Sequence, residues 1–230
     1  MRRVKPPIAD VTALTVGVLG GTGEQGRGLA IRFVTAGLAV RIGSRDASRA
    51  QAAAAEIAAL TGAGPLVRGD DNATVAQTCD PVIVAVPWAA HEPTLRALSD
   101  QLADTVVIDC VNPLGFDRQG PYGLEVPQGS AAEQAQALLP RSRVTAAFHH
   151  VSAILLADLS VTDLALDVLV LGDDRDATDL VRGLAELLPG VRGIYGGRLR
   201  NAGQVERLTA NLIAVNRRYQ THAGIRITRV

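Results

Sequence analysis

Apolar positions along this chain alternate between two patterns. Short, mainly apolar runs recur at Leu14–Leu19, Leu38–Ile42, Pro81–Val86, Val106–Val111, Val144–Phe148 and Val168–Leu171, with Pro81–Val86 unbroken. Runs of this length, rich in β-branched residues and lacking a polar face, predict parallel strands covered on both sides. Between them, helical spacing predicts helices at about Glu24–Ala36, Ala47–Leu60, Ala73–Thr78, Glu92–Leu102 and Ala177–Leu188. The last long helix, about Asn201–Arg218, carries Val205, Leu208, Leu212, Ile213 and Val215 at helical spacing. Gly37 and Gly62 stand where helices stop, and Ser130 with Glu133 forms a capping box. Leu66–Val67 reads as a short strand, Asp117–Gly129 as an excursion loop, Ile154–Leu159 as helix or turn, and Ile194–Gly197 as a turn or edge strand.

Strand–helix alternation from Leu14 to Val111 predicts an α/β fold, a Rossmann-type parallel sheet with right-handed crossovers and a small C-terminal α/β part. The expected organisation is a tail over 1–13, a dinucleotide-binding domain over 14–156 and a small domain over 157–230. The break falls near Ala153–Asp163.

The first strand runs into Gly20, Gly21, Gly23, Gly26 and Gly28 and then directly into a helix. Gly21-x-Gly23-x-x-Gly26 in that setting is a dinucleotide fingerprint: a tight turn, room for a pyrophosphate beside the backbone, and free N–H groups at a helix N-terminus. An NAD site usually carries Asp or Glu at the tip of the second strand. Here the tip is Gly43-Ser44-Arg45, with Arg49 one helical turn on. A guanidinium and a short hydroxyl suit a 2′-phosphate, so the dinucleotide read from the tip is NADP(H). The competing reading takes Asp46 as the ribose acid, although Asp at that place more often caps the next helix.

Composition narrows the rest. The formal net charge is zero and aromatics are 3% of the 230 residues, which gives nucleic acid neither an electrostatic footprint nor a stacking platform. No stretch reaches membrane-spanning length and the N-terminus lacks a signal-peptide pattern, so a cytoplasmic protein is expected. Cys79 and Cys110 sit beside strands, outside any metal spacing, and read as small buried hydrophobes.

Ligands of open parallel sheets bind beyond the carboxyl ends of the strands. That rule gathers Gly21–Gly26, Ser44-Arg45, Val86-Pro87-Trp88, Asn112-Pro113 and His149-His150 on one rim. Pro87 and Trp88 can wall a ribose and nicotinamide, or Trp88 is a structural rim aromatic. His149 is the candidate catalytic side chain, with a packing role as the alternative, and His91 is expected on the surface. No Ser-Tyr-Lys grouping and no catalytic cysteine is evident. A rim so poor in acids and bases suits a hydride passed between two cofactors, where the protein chiefly positions them.

The sequence resembles the NADPH-dependent reductases of the deazaflavin coenzyme F420 (F420H2:NADP oxidoreductases). The matching stretches are Val18–Gly23 through Gly28, Gly43–Arg45, Val86–Trp88, Ser130–Glu133, Phe148-His149, Gly172–Asp174 and Arg207–Thr209. The resemblance implies direct hydride transfer between NADP(H) and F420, with the deazaflavin in a cleft completed by the small C-terminal domain. By motif, Thr22, Gly23, Glu24 and Gln25 would hold the pyrophosphate. Ser44, Arg45 and Arg49 would hold the 2′-phosphate, and Trp88 and Ala153 would border the nicotinamide. His149 and Val151 would lie near the two rings, and Ala223 would approach the deazaflavin from the tail. The chain departs from the family motif at His150 and Ser152, where Thr and Pro are usual, and around Asn112–Gly120. The partners implied are these two small molecules and a second copy of the chain, through the last helix. Two other readings stay open: an NADPH-dependent imine or keto-acid reductase, and a non-catalytic NADP-binding regulator.

Overall fold

The computed structural model describes residues 10–230. The first nine residues of the expected tail lie outside them. Eight strands form one sheet: β1 (Thr15–Leu19), β2 (Ala39–Ser44), β3 (Val67–Asp71), β4 (Val82–Val84), β5 (Val106–Asp109), β8 (Arg143–Ala146), β9 (Leu166–Gly172) and β10 (Val191–Gly197), in the order β10-β9-β8-β5-β4-β1-β2-β3. From β3 to β8 all pairs are parallel, with Leu19 opposite Gly43 on one side and Val84 on the other. This is the doubly wound dinucleotide-binding order, and its direction reverses between β1 and β4. Beyond β8, β9 runs antiparallel and β10 pairs parallel with β9 as an edge strand. Strands on both sides of position 157 therefore share one sheet. A hairpin, β6 (Leu114–Asp117) and β7 (Gly120–Gly123), occupies the start of the expected excursion loop. Its strands are only four residues long and contain Gly and Pro, which hid them in the sequence.

Helices cover both faces: α1 (Glu24–Thr35), α2 (Ala47–Thr61), α3 (Asn72–Thr78), α4 (Trp88–Ala97), α5 (Ala131–Leu138), α6 (Ala153–Ala157), α7 (Arg175–Glu186) and α8 (Ala202–Tyr219). Val16, Val18, Ile42, Ile83 and Ile108 pack beneath α1 and α2 in one core, while Leu19, Val84, Val107 and Leu95 form another on the opposite face. The caps follow the local chemistry. Asp46 accepts from Ser48 N at 2.9 Å and so begins α2, and Gly62 ends it in the left-handed region. Ser130 Oγ accepts from Glu133 N, and its hydroxyl also donates to the Glu133 carboxylate at 2.9 Å. Cys79 and Cys110 are buried free thiols, as expected.

Two close approaches fix the site. A Cβ on Gly28 would lie 2.7 Å from Leu156 Cβ, so a bare backbone at Gly28 lets α6 lie on α1. Buried Arg32 then donates to the carbonyls of Leu155 at 2.7 Å, Leu156 at 2.8 Å, Asp158 at 2.5 Å and Val161 at 3.0 Å. One guanidinium thereby satisfies the open C-terminal carbonyls of α6.

Candidate functional site

The ends of β1, β2, β4, β5 and β8 meet on one rim, and every stretch the sequence placed there is found on it. At the β1/β4 switch point lies a cleft of about 480 Å³, lined by Gly20, Thr22–Gln25, Ser44, Arg45, Arg49, Asn72 and Ala85–Pro87. Gly20 has φ +75° and a Cβ on Gly26 would meet the Gly20 carbonyl at 2.9 Å, so the turn into α1 tolerates side chains at neither place. Gly23 caps α1 without a side-chain bond, which leaves the first-turn N–H groups and the positive helix end open to anions. The Glu24 carboxylate would repel a phosphate, so only the backbone N–H of Glu24 suits such a ligand. The Gln25 amide donates to the Phe148 carbonyl at 3.1 Å and bridges the rim.

Arg45 and Arg49 are exposed, and no hydrogen bond or ion pair among the described residues engages the Arg45 side chain. Asp46 Oδ1 caps α2, accepting from both N and Oγ of Ser48, the role expected of an Asp at that place. Ser44 is buried at the β2 tip. Asn72 Oδ1 is buried without a partner in the same cleft, a vacant acceptor where a ligand donor fits.

The cleft continues past Val86, Pro87 and Trp88 into a smaller space bordered by Gln25, Cys110, Val111 and Asn112. Trp88 is partly buried, with its ring 5.4 Å from that of His91. Gln25 and Asn112 also line a second cleft, of about 700 Å³, together with His149–Ile154, Thr209, Asn216, Arg217 and Ala223. Val151, Ala153 and Ala223, expected near the rings, all lie in this cleft. The two clefts thus adjoin across Gln25.

Phe148 adopts φ +64°, a left-handed conformation that a bulky residue accepts only when its surroundings enforce it. Phe33 meets its ring edge-on at 6.1 Å, and the Gln25 amide holds its carbonyl. That turn delivers His149 and His150, both buried, to the second cleft. The His149 carbonyl accepts from Asn112 Nδ2 at 2.8 Å and Thr209 Oγ1 at 3.3 Å. No ring nitrogen of either histidine has a partner in the structure. Burial pulls both imidazoles down to about 4, so both are neutral at pH 7. A neutral imidazole offers one donor and one acceptor. Vacant groups of this kind suit a ligand with polar ring edges, and leave His149 a poor proton donor at neutral pH.

One expectation is corrected. His91 is not on the surface: it is fully buried, its Nε2 2.6 Å from Asp109 Oδ2 and its Nδ1 2.9 Å from Gln134 Oε1. Burial alone would lower this imidazole, but the Asp109 charge, its hydrogen bond and Gln134 outweigh it and leave His91 above its ordinary value. The sequence held two signals for this. His91 falls three residues after Trp88 on the inner helix face, and Asp109 ends an apolar strand where a carboxylate needs a partner. Thr209 and Arg217 of α8 are further residues of the second cleft that residue chemistry alone did not single out. Among the described residues no His/Cys/Asp/Glu group could hold a metal ion, and no helix is long and apolar enough to cross a membrane.

The family described as "NADP oxidoreductase coenzyme F420-dependent" matches residues 15–113. An F420-dependent NADP reductase of Methanothermobacter thermautotrophicus is 41% identical over 95% of this chain and 96% of its own length. Another of that name, from Methanocaldococcus jannaschii, is 34% identical over 94% and 98%. A crystal structure from Arthrobacter, provisionally assigned as an F420-dependent NADP reductase, superposes with a TM-score of 0.80 at 27% identity, over 94% of this chain and all of that one.

Proposed function

The chain belongs to the F420-dependent NADP reductase family, and on that premise we propose that it passes a hydride directly between NADP(H) in the first cleft and coenzyme F420 in the second. The single observation that carries this reading is the junction at Gln25 of two clefts, one lined by the glycine turn and the β2 tip, the other by His149–Ala153 and α8. Nicotinamide and deazaflavin supply the hydride chemistry. The protein binds, orients and excludes water.

The first-turn amides of α1, with Thr22 and Gly23, hold the pyrophosphate, and Gly21 and Gly26 keep the backbone open to it. Ser44, Arg45 and Arg49 hold the 2′-phosphate. Val86, Pro87 and Trp88 wall the nicotinamide, with Ala153 bordering it. Val151, Ala223 and the unpartnered imidazoles of His149 and His150 receive the deazaflavin. His149 touches the ring as a neutral hydrogen-bonding group and moves no proton. In this sense residues 14–156 form the NADP half, and residues 157–230 complete the deazaflavin cleft through α8 and the tail. Ala223 N donates to Asn216 Oδ1 at 2.6 Å, which supports the tail's place at that cleft.

We further infer a homodimer and a cytoplasmic setting. Exposed Ile154, Val215 and Tyr219 on and beside α8 support a partner surface there. The imine-reductase and regulator readings are not favoured, since relatives named F420-dependent NADP reductase match nearly the whole chain. Mixing the protein anaerobically with NADPH and F420 tests the proposal: the visible deazaflavin absorbance should fall as NADPH is consumed. Unchanged absorbance with both molecules bound would sink it.

A further inference from the structure

One buried polar cluster lies outside both clefts. His91 of α4 stands between Asp109 of β5 and Gln134 of α5. The second Asp109 oxygen accepts from Val111 N at 3.0 Å. Glu206 of α8 is also buried, its carboxylate accepting from Ala131 N at 2.9 Å and Ala132 N at 3.2 Å at the start of α5. The charged groups facing His91 are therefore Asp109 and Glu206, and Gln134 is its neutral partner. Both ring nitrogens meet oxygen acceptors, so the geometry calls for an imidazolium with both N–H groups engaged. An apolar side chain of similar volume would fill the space without burying charge, so stability alone does not account for the cluster.

Two of its contacts lead to the rim. The His91 ring packs against Trp88. Asp109 fixes the Val111 backbone, and the next residue, Asn112, fastens the His149 carbonyl. We propose that His91 is a positioning residue for hydride transfer: it sets the Trp88 ring at the nicotinamide end and, through Asp109, the Val111–Asn112 turn that carries His149. This rests on the placement of the nicotinamide beside Trp88. A shift on the order of 1 Å at reacting atoms lowers a rate by about a hundredfold, so a buried group that touches neither substrate can govern turnover.

The chain has one tryptophan, so its intrinsic emission reads Trp88 alone. The experiment compares wild type, His91→Leu and His91→Gln, each checked by thermal melting. NADP+ serves as the probe because its oxidised nicotinamide quenches tryptophan only at contact. Wild-type emission should fall on NADP+ binding. In His91→Leu that quench should shrink and single-turnover hydride transfer should slow about tenfold to a hundredfold. F420 affinity should hold, and His91→Gln, which keeps one hydrogen bond, should recover part of the rate. Bound NADP+ that leaves wild-type Trp88 emission unmoved would overturn the nicotinamide placement. A normal wild-type quench with wild-type quench and rate in folded His91→Leu would overturn the role of His91. Parallel loss of NADP+ and F420 affinity in both variants would mark a merely structural residue and overturn it equally.

Discussion

Replacing Arg45 by alanine should sharply reduce the preference for NADPH over NADH. Arg45 is exposed at the β2 tip and engages no group among the described residues, so its removal should leave stability within about 0.5 kcal/mol. The loss falls on the ligand. A 2′-phosphate carries close to two negative charges, and a unit cation about 4 Å away in water gains about 1 kcal/mol per charge, or about 2 kcal/mol. Charge-assisted hydrogen bonds span about 1.5–3 kcal/mol, and the open rim places Arg45 at the lower end. NADPH affinity should therefore fall about 10- to 30-fold. NADH lacks the phosphate and should bind as before. Removing Arg49 as well should bring the loss to about 3 kcal/mol, on the order of a hundredfold, and all of these differences should narrow in high salt. Titrating each variant while following nicotinamide fluorescence gives both constants. Unchanged NADPH binding, or an equal loss of NADH binding, would refute the 2′-phosphate assignment.

Other expectations concern the groups behind the site. Arg32→Met strips the C-terminal carbonyls of α6 of their donor and should destabilise the fold by about 3 kcal/mol, read as a lower urea midpoint. The same variant should weaken F420 more than NADPH, since α6 lines the second cleft, and equal weakening would contradict that coupling. Glu206 is raised from 4.5 to about 7, chiefly by burial, so the folded state holds a proton the unfolded chain has lost. It makes stability fall as pH rises from 4.5 to about 7, by about 3 kcal/mol, and Glu206→Gln should remove that decline. His150 has the opposite sign in much the same window: lowered from 6.5 to about 4, it makes stability fall as pH drops from 6.5 toward 4, again by about 3 kcal/mol. Urea melts of His150→Asn across that range should show a flatter acid limb, and an unaltered limb would refute its neutral burial.

The parallel half of the fold was legible because each buried strand is one apolar run and the rim follows from strand polarity. Ser44 and Arg45 were legible for the same reason, as the tip of β2 must face the ligand. What escaped depends on contacts distant in sequence. Val168–Leu171 reads as a strand, but that it runs over Leu166–Gly172 and extends the sheet past β8 is decided by its pairing with Thr145 and Ala146. Arg32 looks like any basic residue in a helix until α6 lays its carbonyl end over it. His91 sits beside Glu92, whose ion pair with Arg96 advertises a solvated helix. Only the fold shows that His91 turns inward to Asp109. The Gly172–Asp174 and Ser130–Glu133 stretches belong to caps, with Asp174 accepting from Ala177 N at 2.7 Å and Ser130 from Glu133 N at 3.0 Å.

Everything turns on hydride crossing directly from one cleft to the other. NADPH carrying deuterium at the transferring face of nicotinamide C4, mixed with F420 and the protein in ordinary water, tests this in a single turnover. Deuterium should appear at C5 of the reduced deazaflavin, with none released to solvent. Reduced deazaflavin with no deuterium at C5, the second hydrogen having come from solvent, would contradict direct transfer and the role of the junction at Gln25.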